Sequence, residues 1–166
     1  RGEMLDEAAV LVKHGYGVLL IDLRGHGKSE GQLILFGKNE VQDVDAGYQF
    51  LLKQPDVDPE RIGILGNSMG GAISILYAAQ NPKIKAVVTD SAFSSLDDTV
   101  STSLHYFTGL PDFPFSTTIL SLAEVEYGFD TNDIAATEYI DDISPRPIFL
   151  MQGGSDTVVS VHSGER

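Results

Sequence analysis

Four short apolar runs, separated by segments of helical periodicity, constrain this chain more than any other feature. Val18 to Leu23, Ile62 to Leu65, Ala86 to Thr89 and Ile148 to Gln152 lack the apolar–polar alternation of a half-solvated strand. Strands of that composition are covered on both faces, as in a parallel sheet flanked by helices. Between them, Glu3 to His14 carries Met4, Leu5, Ala8, Leu11 and Val12 at helical spacing and stops at Gly15. Residues 39–53 place Val41, Val44, Tyr48, Leu51 and Leu52 on one stripe. Glycines 70 and 71 open an apolar helix, Ala72 to Gln80, which ends at Asn81-Pro82. The alternation predicts βαβ units: an α/β fold with a mostly parallel sheet and helices on both faces. In such sheets chemistry collects at the carboxyl ends of the strands, which singles out loops 24–31, 66–71, 90–95 and 153–162.

The chain has 166 residues, enough for a single domain with one core. Eleven Lys and Arg against 24 Asp and Glu leave a net charge of −13, which repels phosphate backbones and argues against a nucleic-acid partner. With no cysteine, disulfides, thiolate metal sites and a cysteine nucleophile are excluded. No apolar run reaches the roughly 20 residues of a membrane-spanning helix. The acidic pairs Asp97-Asp98 and Asp141-Asp142 lie outside the strand-end loops and lack the spacing of a calcium loop, so no metal or cofactor is implied.

The chemical signal is Gly66-Asn67-Ser68-Met69-Gly70. A serine hydroxyl attacks only when it is exposed, set beside a base and aimed at backbone N–H donors. A sharp turn from strand to helix provides the exposure, and small residues two positions to either side permit the turn. Gly27-Lys28-Ser29-Glu30-Gly31 matches the same pattern, but it lies in a polar loop with no helix following at once. Ser68 is therefore the candidate nucleophile and Ser29 a decoy. A nucleotide-binding glycine loop fails on residues: there is no G-x-G-x-x-G, and Asp22 stands where a phosphate-binding loop before Lys28-Ser29 needs glycine.

Three stretches together resemble the α/β-hydrolase superfamily: Gly17 to Ser29 with its Arg24-Gly25-His26-Gly27 loop, Gly66 to Gly71, and Pro147 to Asp156. The likeness is greatest to its bacterial branch near the prolyl-oligopeptidase-like and serine-aminopeptidase-like hydrolases, and Thr89 to Leu96 suits that branch. The resemblance implies nucleophile, acid and histidine in that order along the chain. It puts the acid at Asp156, with Asp90 as the alternative, and one oxyanion donor at the Met69 N–H. His162 lies six positions past Asp156 and reads better as a surface residue at a helix start than as the base. His26 reads as a structural histidine, and His14 and His105 have no catalytic context. Residues 93–143 fall where the superfamily carries its lid. Tyr106, Phe107, Leu110, Phe113 and Phe115 would either wall an acyl pocket or pack on the core.

The sequence begins Arg1-Gly2-Glu3 and ends ten residues past Asp156, so the resemblance implies a core without its catalytic histidine and without one oxyanion donor. The expectation is a serine hydrolase core, needing no cofactor, that acts on a small-molecule ester, acyl or peptide substrate through an acyl-enzyme at Ser68. A non-catalytic domain using the same fold for binding or scaffolding is the alternative. The residues leave the oligomeric state open.

Overall fold

A computed structural model describes residues 4–156, 159 and 163. Among them the order is α1 (Leu5–Lys13), α2 (Glu40–Leu51), β1 (Ile64–Asn67), α3 (Met69–Gln80), β2 (Val87–Asp90), α4 (Leu96–Thr108), α5 (Asp112–Tyr127), α6 (Ala136–Tyr139) and β3 (Ile148–Met151). The three strands form one parallel sheet in the order β1-β2-β3. Asn67 is in register with Asp90, and Asp90 with Met151, so all three strands end at the same level.

The core is built around α3. Its residues Gly71 to Ala78 are all buried, which fits a helix whose sequence is apolar on every side. Ile75, Leu76, Ile84, Val87, Phe93, Ile134 and Ile143 pack together in this core. On one side α2 lies against α3, where the Tyr77 hydroxyl donates to Asp45 Oδ1 at 2.9 Å and the rings of Tyr48 and Tyr77 meet. The far end of α3 is held by Arg146, whose guanidinium donates to the carbonyls of Ala78, Asn81, Ile84, Asp142 and Ile143.

One expectation fails on strand pairing and another on burial. Residues 18–23 form no ladder with the described strands. Leu19 and Ile21 instead rest against α2, where a Cβ on Gly47 would sit 3.3 Å from Ile21 Cγ2. β3 does pair, yet Phe149 is 61% exposed and Leu150 and Met151 are also open to solvent. Apolar composition reports a demand for cover, and a ladder needs in addition a neighbour whose backbone groups face it. The lid-position segment forms α4 and α5. The outer side of α5 carries Phe115, Ile119, Leu122 and Val125, all exposed. Tyr106, Phe107, Leu110 and Phe113 are exposed as well, so they do not pack in the core. No described helix is long and apolar enough to cross a membrane.

Candidate active site

β1 ends at Asn67 and α3 begins at Met69, leaving Ser68 as the single residue that turns the chain. Its backbone lies at φ 49 and ψ −118, outside the regions open to L-residues without strain. The turn is held from several sides. The Ser68 N–H donates to the Asp90 carbonyl at 2.8 Å, and Asn67 Nδ2 approaches the same oxygen at 3.4 Å. The Ser68 carbonyl accepts from Gly71 N–H and Ala72 N–H, which closes the first turn of α3.

The glycines around the turn are not equivalent. A Cβ on Gly66 would lie 2.1 Å from the Gly70 carbonyl oxygen and 2.6 Å from Ser74 Oγ, and one on Gly71 would lie 2.8 Å from the Ala92 Cβ. A Cβ on Gly70 would meet nothing within 4 Å. The close approach therefore excludes side chains at 66 and 71, whereas position 70 matters through its carbonyl.

Ser68 precedes α3 in the place of a capping residue, yet its side chain makes no capping bond. Ser68 thus stands at the N-terminus of α3, directly before Met69. Ser29 differs in each respect. Its hydroxyl donates to the Asp22 carbonyl at 2.7 Å, and the Asp22 carboxylate accepts from Lys28 N–H inside the same polar loop. A Cβ on Gly27 would fall 2.4 Å from that carboxylate. The second glycine–serine pattern is thus a loop folded around Asp22.

Asp156 lies in the turn after β3, its N–H bonded to the Gly153 carbonyl and its Oδ1 accepting from Val159 N–H at 3.0 Å. Asp90 is the last residue of β2, and its Oδ1 accepts from the Ser91 hydroxyl at 3.0 Å. Asp90 closes β2 and Asp156 follows β3, so both residues come at the same ends of the strands as Ser68. His26 points Nδ1 at the Arg24 carbonyl, 3.0 Å away, and His14 Nδ1 at the Val10 carbonyl, 2.8 Å away, so both are engaged locally. His105 borders an open groove of about 520 Å³ with Ser101, Thr102, Tyr106 and Asp112. His162 lies outside the described residues. Beneath the strand ends, near Thr89, Ala92, Met151 and Gln152, is a cavity of about 30 Å³, room for a water molecule or two. Among the described residues no group of His, Asp and Glu could hold a metal ion.

Two features of this edge escaped sequence reasoning. Ser91 has φ 53, and nothing in Asp90-Ser91-Ala92 signals a left-handed residue. Glu40 is fully buried, accepting from Leu35 N–H at 2.9 Å and Gly37 N–H at 2.8 Å. This fixes the loop that sets Phe36, at φ 54, edge-on against Phe93. The three-residue spacing from Gly37 to Glu40, the reach of a capping box, was the available signal.

Residues 2–143 match the family of X-Pro dipeptidyl-peptidases (S15 family). A Mycobacterium tuberculosis protein, Rv2307c, is 33% identical over 165 residues, covering 98% of this chain and 51% of that protein. Protein bem46 of Schizosaccharomyces pombe is 27% identical over 143 residues, covering 86% of this chain and 42% of that one. Among solved structures, the Pyrococcus furiosus esterase Pf2001 superposes with a TM-score of 0.73 at 31% identity, over 98% of this chain and 57% of its own. The chain spans about half the length of the curated relatives it matches.

Proposed function

The chain belongs to the X-Pro dipeptidyl-peptidase (S15) family, within the α/β-hydrolases, and on that premise we propose that it is the core of a serine hydrolase cleaving an ester or a peptide bond through an acyl-enzyme on Ser68. The observation that carries this reading is the strained backbone of Ser68 between β1 and α3, with a hydroxyl that caps nothing.

In the proposed reaction Ser68 Oγ attacks the substrate carbonyl while its proton passes to a histidine. Asp156 holds that imidazole in the tautomer whose free nitrogen faces the hydroxyl. The Met69 N–H donates to the oxyanion of the tetrahedral intermediate. The imidazolium returns the proton to the leaving group, and water then cleaves the acyl-enzyme by the same steps. We assign the histidine and the second oxyanion donor to the remainder of a protein as long as its relatives. The α4–α5 segment would lie over this edge as a lid.

The test is active-site labelling of the whole protein, from the reading frame that contains these residues, with a fluorophosphonate. Labelling that disappears in Ser68→Ala is the expected result. A panel of p-nitrophenyl esters and dipeptidyl amides then separates esterase from peptidase action. Absent labelling, or labelling indifferent to Ser68→Ala, would instead favour a non-catalytic binding or scaffold domain.

A further inference from the structure

Ser91 follows directly on β2 as Ser68 follows directly on β1. In each case the N–H makes the last rung to the neighbouring strand, Ser68 to the Asp90 carbonyl at 2.8 Å and Ser91 to the Met151 carbonyl at 2.8 Å. In each case the next torsion is left-handed, φ 49 and φ 53. The peptide that joins Asp90 to Ser91 therefore touches both neighbours at once, its oxygen on β1 and its N–H on β3.

Directly beyond that peptide the chain reverses, and Ala92 comes to rest on the first turn of α3. A Cβ on Gly71 would lie 2.8 Å from the Ala92 Cβ and 3.3 Å from its Cα. Residues 90–92 thus grip the strained turn at two points: the Asp90 carbonyl takes the Ser68 N–H, and Ala92 backs Gly71. The φ of Ser91 is the torsion that separates these two grips. An extended residue there would keep one and lose the other. The Ser91 hydroxyl, donating to Asp90 Oδ1 at 3.0 Å, lies within the same corner.

We propose that Ser91 is a positioning residue for the nucleophile, acting through its left-handed backbone to keep Ser68 in its strained conformation. The inference rests on the reading of Ser68 as the nucleophile. Glycine enters this region freely and asparagine readily, alanine with some strain, and a β-branched residue with the most. A shift of the turn of about 1 Å is enough to cost roughly 100-fold in rate.

The experiment compares the wild-type whole protein with Ser91→Gly, Ser91→Ala and Ser91→Val, with Ser68→Ala as control. It reads the rate of fluorophosphonate labelling, kcat and KM on p-nitrophenyl acetate, and the unfolding midpoint. Ser91→Val is expected to lower labelling and kcat at least about tenfold with KM little changed, since a transition-state requirement and not binding is lost. Ser91→Gly keeps rates close to wild type, and Ser91→Ala falls between the two, which preserves the test if the valine variant does not fold. Wild-type labelling and kcat in Ser91→Val, or Ser91→Gly as slow as Ser91→Ala, would overturn the inference and leave the hydrolase reading standing. A wild-type protein that does not label at Ser68 would overturn both.

Discussion

Gly66 and Gly70 meet so closely that a methyl group on Gly66 would overlap the Gly70 carbonyl, while a methyl on Gly70 would project into open space. The pattern glycine-x-serine-x-glycine hides this asymmetry. Gly66→Ala forces the turn apart and is expected to cost about 1–3 kcal/mol in stability, with labelling of Ser68 slowed at least about tenfold. Gly70→Ala, inside α3, should leave stability unchanged or raise it by up to about 1 kcal/mol. Thermal unfolding and labelling rates of the two variants check both, and equal effects would show that the two positions are alike.

The buried Glu40 carboxylate holds two backbone N–H groups of the 35–37 loop. Hydrogen bonds to a charged acceptor contribute about 1.5–3 kcal/mol each, and removing the acceptor leaves buried donors unmet. Glu40→Ala is expected to lose roughly 3 kcal/mol by denaturant unfolding. A loss below about 0.5 kcal/mol, the size of an ordinary surface change, would mean that the loop finds other acceptors.

Arg146 joins the end of α3 to the segment before β3 through five carbonyl oxygens. Lysine carries the charge but has its three donors on one nitrogen instead of a planar fork, so it cannot span all five carbonyls. Arg146→Ala should destabilise by about 2–4 kcal/mol and Arg146→Lys by somewhat less, read as shifts in denaturant midpoint. Indistinguishable midpoints for lysine and arginine would reduce the role of this residue to charge alone.

Burial pushes the Asp43 carboxyl up, but the side-chain and backbone hydrogen bonds from Arg24, with the guanidinium's charge, outweigh it and hold the group below its ordinary 3.8. A carboxyl with a lowered folded value contributes stability that is complete above the unfolded value. That stability is lost as pH falls through the folded one. The wild-type protein should therefore lose stability below about pH 4 more steeply than Asp43→Asn. Parallel acid-side slopes in the two proteins would remove Asp43 from the account.

What the sequence discloses depends on whether a residue's role is local. The helix of α3 was legible because its apolar surface is continuous, and its start because Gly66 and Gly70 bracket Ser68. The ends of β1 and β2 fell within two residues of expectation, since each apolar run has a definite length. Val18 to Leu23 was misread because the same residues serve a strand or a segment laid on α2, and only a partner decides between them. Glu40 gave no sign of its burial, as the two N–H groups it accepts from lie in the loop before its helix. Ser91 was invisible because its left-handed torsion answers to the packing of Ala92 on Gly71, a contact made only in the folded chain.

The acid is the last assignment to test. Asp156 and Asp90 both stand at the carboxyl edge of the sheet, and each accepts a local donor, Val159 N–H in one case and the Ser91 hydroxyl in the other. The Val159 N–H closes the turn that carries Asp156. Asp90 belongs to the corner that grips the Ser68 turn, so its substitution disturbs the mould around the nucleophile without removing the partner of the base. In the whole protein, Asp156→Asn is expected to lower kcat roughly 10⁴-fold, the cost of holding a catalytic histidine in the wrong tautomer, with KM little affected. Asp90→Asn should cost far less, since asparagine still offers an oxygen to the Ser91 hydroxyl and leaves the Asp90 backbone carbonyl in place. Steady-state kinetics on an activated ester, with both variants checked for folding, decide the matter. The larger loss in Asp90→Asn would move the acid from the turn after β3 to the end of β2.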